Sequence, residues 1–199
     1  MNDTLPPETM TFAQARADFR ADFTRWVEWL GGGSLPQRIY WFFLPAIQAL
    51  FWYRVSRWLF LNGWRNTARL VGLFSLYLTR IELPPTSSIG PGCVISHADG
   101  VIVCGRMGAR CVISGSGGIG GGAKPGDVGG GPGLPWVGDD VFFGIGAIVL
   151  GAVRIGHGVR LGPNTLTLND VPDGATVIAP SAMEAPDSVA PEASFRSFS

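Results

Sequence analysis

From Leu83 onward a large apolar residue returns at every sixth position: Leu83, Ile89, Ile95, Val101, Met107, Ile113 and Ile119, then Val137, Phe143, Val149, Ile155 and Leu161. The gap from Ile119 to Val137 is eighteen residues, three sixes, so the register survives the interruption. Four places after most of these positions comes a small or β-branched residue, as at Ser87, Cys93, Cys111, Ala147, Val153 and Thr165. Glycine often follows the apolar residue directly, as at Gly90, Gly108, Gly138 and Gly156. A six-residue unit cannot bury an apolar face alone, so it must stack on copies of itself. Short strands that turn once per hexad close into a three-sided coil, with the large and the small residue of each unit pointing inward and glycine relieving the corners. The fold expected is therefore mainly β, a left-handed parallel β-helix. Cys93 and Cys111, eighteen residues apart, then take the same core position in successive coils as small buried hydrophobes.

Upstream the pattern is helical. Thr11-Phe12-Ala13-Gln14 reads as a capping box, and Phe12, Phe19, Phe23, Trp26, Val27 and Leu30 recur at helical spacing until Gly31-Gly32-Gly33-Ser34 stops the run. A second helix is expected from near Pro45 to Asn62-Gly63, and a third from Trp64 to Thr79. This gives an N-terminal helical domain over residues 1–80, a β-helix over 81–180 with a Gly-rich arm loop at 120–136, and a C-terminal tail over 181–199. The arm, GGGAKPGDVGGGPGLPW, cannot hold regular strands and is expected to leave the coil stack near the site.

Composition narrows the function. Fifteen basic residues balance fifteen acidic ones without a basic run, which removes the electrostatic footprint of a nucleic-acid partner. Three cysteines, an odd number, and no leader-like stretch at the start lead to the expectation of reduced thiols in the cytoplasm. The aromatic run Tyr40 to Leu61 is broken by Pro45, Gln48, Arg54 and Arg57, so no uncharged stretch of about 20 residues remains to span a bilayer. It reads as a helix packed on the rest of the protein, with membrane-peripheral contact through its Trp and Phe side chains left open.

One of only two histidines, His97, lies in Ile95-Ser96-His97-Ala98-Asp99-Gly100, third in its hexad, where side chains point out of the coil. An exposed imidazole there is either a plain surface residue or a general base at a subunit boundary. No metal is expected, since a catalytic zinc wants about three protein ligands and His157 lies several coils away. Asp99 falls where the register turns inward and is either a local irregularity or a second partner for His97.

The stretches PAIQALFWYRVSRWLF, IELPPTSSIGPGCVISHADGVIVCG, VGDDVFFGIGAIVLGAVRIGHGVRLGPNTL and NDVPDGATVIAPSA, in this order and spacing, resemble the bacterial serine acetyltransferases. The resemblance implies transfer of an acyl group from acetyl-CoA or another acyl-CoA to a hydroxyl. It makes His97 the base that takes the acceptor proton and Glu82 the carboxylate that orients it. It puts backbone N–H groups around Gly117 to Gly121 at the oxyanion. It also places CoA along a groove at Gly121, Ile145 and Pro163, with Arg160 near its phosphates.

Departures from the family pattern fall at the acceptor. Where the family grips the ammonium of serine with an aspartate just before the histidine, this chain has Ser96. Where an Arg-His pair holds the carboxylate, it has Gly133-Leu134. A zwitterionic amino acid loses charge-assisted contacts worth about 1.5–3 kcal/mol each. The expectation is accordingly an O-acetyltransferase acting on a sugar or polysaccharide precursor or a specialised metabolite, with Ser96 and Asp99 beside the acceptor. L-serine O-acetylation for cysteine biosynthesis is the alternative, and a non-catalytic hexapeptide scaffold the third reading. The resemblance further implies a homotrimer with sites shared between chains, and allows a dimer of trimers.

Overall fold

Thr11 caps the first helix, its hydroxyl accepting from the Gln14 N–H at 3.1 Å, and α1 runs Phe12–Trp29. The capping box is only half made here, because the Gln14 amide turns to Asp18 instead. A full side-chain return occurs one helix later, where Gln37 accepts from the Ser34 N–H at 2.9 Å and opens α2, Leu35–Phe42, an element not foreseen from the sequence. Proline at the first helical position starts α3, Pro45–Leu61, and α4 follows over Arg65–Thr79. The computed structural model describes residues 9–121 and 133–180; most of the arm loop and the whole 181–199 tail lie outside the described residues.

Among the described residues thirteen short strands follow, arranged as three parallel sheets that form the sides of a left-handed coil. The first side stacks β1 (Ser88–Ile89), β4 (Arg106–Met107), β7 (Trp136–Val137) and β10 (Arg154–Ile155). The second stacks β2 (Val94–Ile95), β5 (Val112–Ile113), β8 (Phe142–Phe143), β11 (Arg160–Leu161) and β13 (Thr176–Val177). The third stacks β3 (Ile102–Val103), β6 (Gly118–Gly120), β9 (Ile148–Leu150) and β12 (Leu166–Thr167). The pairing keeps the register of the sequence: Ile95 sits opposite Ile113, Ile113 opposite Phe143, and Phe143 opposite Leu161. Met107 opposite Val137 shows that the arm adds two hexads at one corner and leaves the stack in phase.

Every apolar residue of the period-six series is buried, with Ile95, Ile113, Phe143, Ile155 and Leu161 wholly so, and Cys93 and Cys111 lie one above the other as expected. Burying each such aliphatic side chain contributes about 1.5–3 kcal/mol. Glycine is required at one point on the third side. A Cβ on Gly118, whose φ is +144°, would sit 1.8 Å from the Ile102 carbonyl oxygen, so the rung between Ile102 and Ile148 has no side chain.

Helices and coils are joined through polar groups as well as apolar ones. Ala46, Ala49, Leu50 and Tyr53 of α3 belong to the same buried cluster as the coil interior. The Tyr53 hydroxyl donates to the Ser87 carbonyl at 2.9 Å and accepts from the Ile89 N–H at 3.0 Å. Arg57 donates to the Pro85 carbonyl. Arg54 lies against wholly buried Asp22 of α1 at 2.8 and 3.0 Å and donates as well to the carbonyls of Ile89 and Gly90. Asp22 also accepts from the Cys93 N–H at 2.9 Å, so one carboxylate ties α1, α3 and the first coil together. Burial raises the pKa of its carboxyl against the pull of Arg54; for the guanidinium, burial disfavours the charge and is overcome by Asp22 together with Tyr53 and Asp18.

Candidate active site at a coil corner

His97 follows β2 at the corner between the second and third sides, and its side chain is exposed as the register requires. Gly115 occupies the equivalent corner one coil on. A Cβ there would come within 3.1 Å of the His97 Cβ, so glycine keeps the space over the histidine clear. Gly146 N–H donates to the Gly115 carbonyl and Asn164 N–H to that of Ile145, which continues the same corner upward through Ile145 and Pro163. The structure thus brings His97, Ile145 and Pro163, expected from three separate stretches, into one corner column, with Ile145 and Pro163 exposed. Arg160 lies on the adjoining second side, exposed, its guanidinium 5.4 Å from the centre of the Phe142 ring. Gly121 stands apart at the far end of β6, where a Cβ would meet the Gly133 carbonyl oxygen at 2.6 Å and Leu134 at 3.0 Å.

Ser96 is half-buried, and its hydroxyl lies 3.4 Å from that of Ser114 in the next coil. No charge is present at this position. Asp99 departs from the register. The period of six turns it inward, yet its side chain is 84% exposed, 3.9 Å from Arg80, while Ala98 packs on the core in its place. A carboxylate with no buried donor to receive it stays in water, and the small neighbour fills the coil.

Glu82 forms the first rung of the third side. Its N–H donates to the Val101 carbonyl and its carbonyl accepts from the Val103 N–H, both at 2.9 Å, which places it opposite Ile102. Burial, with the Glu82 carboxylate as the smaller cause, pushes the Cys104 thiol up. Among the described residues no hydrogen bond links Glu82 or Asp99 to the His97 imidazole. The Gly118 N–H donates to the Ala147 carbonyl at 2.9 Å and is committed to the ladder rather than free for an oxyanion.

The second histidine has a structural part. His157 Nδ1 accepts from the Asp139 N–H at 3.0 Å and its ring stands edge-on to Trp136, bracing another corner. Among the described residues no group of three or more His, Cys, Asp or Glu side chains comes together, and no helix is long and apolar enough to cross a membrane.

Stacked hexads, three parallel sides and an exposed histidine at a clear corner define a hexapeptide-repeat protein of the left-handed β-helix class. Within that class the chain belongs to the serine acetyltransferase family. It is 34% identical over 140 residues to the serine acetyltransferase of Helicobacter pylori strain J99, a match covering 69% of this chain and 80% of that one. It is also 34% identical over 139 residues to the enzyme of Mycobacterium tuberculosis, covering 69% of this chain and 59% of the relative. The match spans 54% of the Synechococcus elongatus serine acetyltransferase, so the chain corresponds to little more than half the length of some relatives. The crystal structure of Neisseria gonorrhoeae serine acetyltransferase superposes with a TM-score of 0.73 at 25% identity, over 87% of this chain and 66% of that one. Entamoeba histolytica serine acetyltransferase 1 in complex with L-cysteine gives 0.72 at 26% identity, over 84% and 64%. No protein-family model matches the chain.

Proposed function

We propose that the protein is an acetyl-CoA-dependent O-acetyltransferase in which His97 is the general base. The observation that carries this reading is the exposed imidazole at a corner kept open by Gly115, within a fold and family of acetyltransferases. A neutral imidazole takes the proton of the acceptor hydroxyl as its oxygen attacks the thioester carbonyl; the tetrahedral intermediate expels CoA thiolate, which is protonated as the acetyl ester forms. No covalent intermediate on the protein is required. Acetyl-CoA fits the corner column, where Ile145 and Pro163 stand exposed and Gly144 removes a Cβ that would lie 2.7 Å from the Pro163 nitrogen. Arg160 on the adjoining side is the cation for its phosphates. Gly121 would meet the thioester end from the neighbouring chain, and Glu82 would orient the imidazole on assembly.

Relatives named for serine support L-serine as acceptor over the sugar or polysaccharide precursor expected from the sequence. One observation keeps a second acceptor class in view. The position before His97 is an uncharged Ser96 paired with Ser114, and Asp99 is turned toward Arg80, so among the described residues the ammonium of an amino acid meets no unpaired carboxylate at this corner within one chain. Purified protein with acetyl-CoA is to be assayed for free thiol, with mass spectrometry of the product, against L-serine and a panel of neutral sugars and alcohols. O-acetylserine as the dominant product supports the family acceptor. Turnover only with an uncharged hydroxyl compound moves the assignment to the second class, and none with any acceptor contradicts the enzyme.

The assembly that completes this site is a homotrimer. In support, the third side presents an outward ladder of exposed Ile102, Ile148 and Leu166, interrupted only by Gly118. A flat apolar ladder on one face of a solenoid is the surface a neighbouring coil covers. Light scattering on dilute protein should give the mass of three chains, or six for a dimer of trimers; an active monomer of 21.2 kDa contradicts the shared site.

A further inference from the structure

Between Glu28 and Glu82 the chain carries no carboxylate: residues 29–81 hold six arginines and no aspartate, glutamate or lysine. Two of the six, Arg54 and Arg57, are buried in the joint with the first coil, whereas Arg38, Arg65, Arg69 and Arg80 are exposed. Two helices of this stretch carry exposed apolar surface: α2 with Leu35, Ile39, Tyr40 and the adjoining Phe43, and α4, whose stripe is continuous over two turns. Ala68, Ser75 and Thr79 turn one side of that helix inward. At 100° per residue the opposite side is formed by Leu70, Leu73, Phe74 and Tyr77, which are 67, 47, 52 and 80% exposed. Arg69 borders this stripe beside Leu73, exposed Arg65 lies one turn earlier with its guanidinium 5.9 Å from the centre of the Phe60 ring, and exposed Trp64 stands at the N-terminal end of the helix. The aromatic run of α3, by contrast, turns Ile47, Leu50 and Tyr53 into the protein interior.

We propose that α4 is a membrane-surface element that seats this protein on an anionic lipid bilayer. The helix lies in the plane of the interface, with Leu70, Leu73, Phe74 and Tyr77 in the headgroup–acyl boundary and Arg65 and Arg69 on lipid phosphates. Its fifteen residues are too short to cross. Charge selects the occupant. Packing this face on the same face of a second copy would bring four arginines together with no carboxylate from either α4, whereas an anionic surface neutralises them. The inference is independent of the acceptor and of the catalytic base.

The test is sedimentation of the full chain with vesicles of phosphatidylcholine alone and of phosphatidylcholine mixed with phosphatidylglycerol, at low and high salt. The protein should pellet with the mixed vesicles, remain in solution with phosphatidylcholine, and be released by salt. Each arginine near an anionic surface is worth about a fivefold gain in binding, so Arg65→Gln with Arg69→Gln should weaken partition about 20- to 30-fold. Leu70→Ser with Tyr77→Ser should abolish it while leaving the melting midpoint and acetyl transfer in solution unchanged. Absence of pelleting with mixed vesicles overturns the proposal. So does equal pelleting of the Leu70→Ser/Tyr77→Ser protein, or a fall in its mass by light scattering without vesicle binding by the parent, which would assign the stripe to a second copy.

Discussion

Replacing Asp22 by alanine tests how the helices are joined to the coil. The carboxylate is wholly buried and receives two donors from Arg54, at 2.8 and 3.0 Å, and one from the Cys93 backbone at 2.9 Å. Truncation leaves a buried guanidinium with two backbone carbonyls and only Asp18, 3.8 Å away, as counter-charge. Removing one partner of a buried ion pair costs about 3–5 kcal/mol, because the remaining charge is stranded rather than because the pair itself is strong. For a chain of this length each kcal/mol lowers the melting midpoint by about 2–4 °C, which gives a fall of about 6–20 °C. Thermal and urea unfolding of the parent and the variant measure this directly. The same logic predicts that Asp22→Leu combined with Arg54→Met recovers most of the loss, since no charge is then left buried. A single-variant loss below about 1 kcal/mol, the range of an exposed pair, would refute the reasoning, as would a double variant no better than Asp22→Ala.

Two further outcomes follow from the coil interior and the corner. Burial pushes the Cys111 thiol up to about 12 and raises that of Cys93 well above its usual value, so both stay protonated through pH 8 and only half-exposed Cys104 should react with a thiol reagent in the native protein. All three should react in denaturant; rapid native labelling of Cys111 would contradict the stacked core. If Glu82 orients His97 in the assembled protein, Glu82→Gln should lower acetyl transfer more than Asp99→Asn does, because Asp99 is turned out toward Arg80. The reverse order in steady-state kinetics would make Asp99 the carboxylate that acts.

The coil was legible because its constraint is repetitive. Each hexad must supply one large and one small inward residue, so a run of seven hexads and a second run of five read the same message, and the twelve-residue excess in the arm between them could not erase it. The one local failure, Asp99, arose where periodicity alone assigned a carboxylate to an apolar interior; the chain slips locally and buries Ala98. The helical region was read less completely. Apolar spacing on α1 treats aspartates as surface, yet Ala15, Asp18, Asp22 and Trp26 form its inward stripe. Their spacing of three and four residues, set against arginines inside an otherwise apolar α3, was the available signal for the buried pair. Helix α2 was missed because Pro36 and the aromatic run from Tyr40 hide a single short amphipathic stretch opened by Ser34 and Gln37. His97, Ile145 and Pro163 were found one by one, but their common corner follows only from counting coils across the arm. The partners of the imidazole are not legible in one chain, since the flanking sides of the corner are open to a neighbour.

The most direct measurement of the central claim compares the parent protein with His97→Ala for acetyl-CoA turnover, together with CoA affinity by calorimetry. With His97 as the base, turnover falls by at least about 10²-fold while CoA affinity stays nearly unchanged, because the imidazole acts on the acceptor proton and the cofactor is held along the corner above it. Equal turnover by the two proteins, at matched fold and oligomeric mass, would contradict the account.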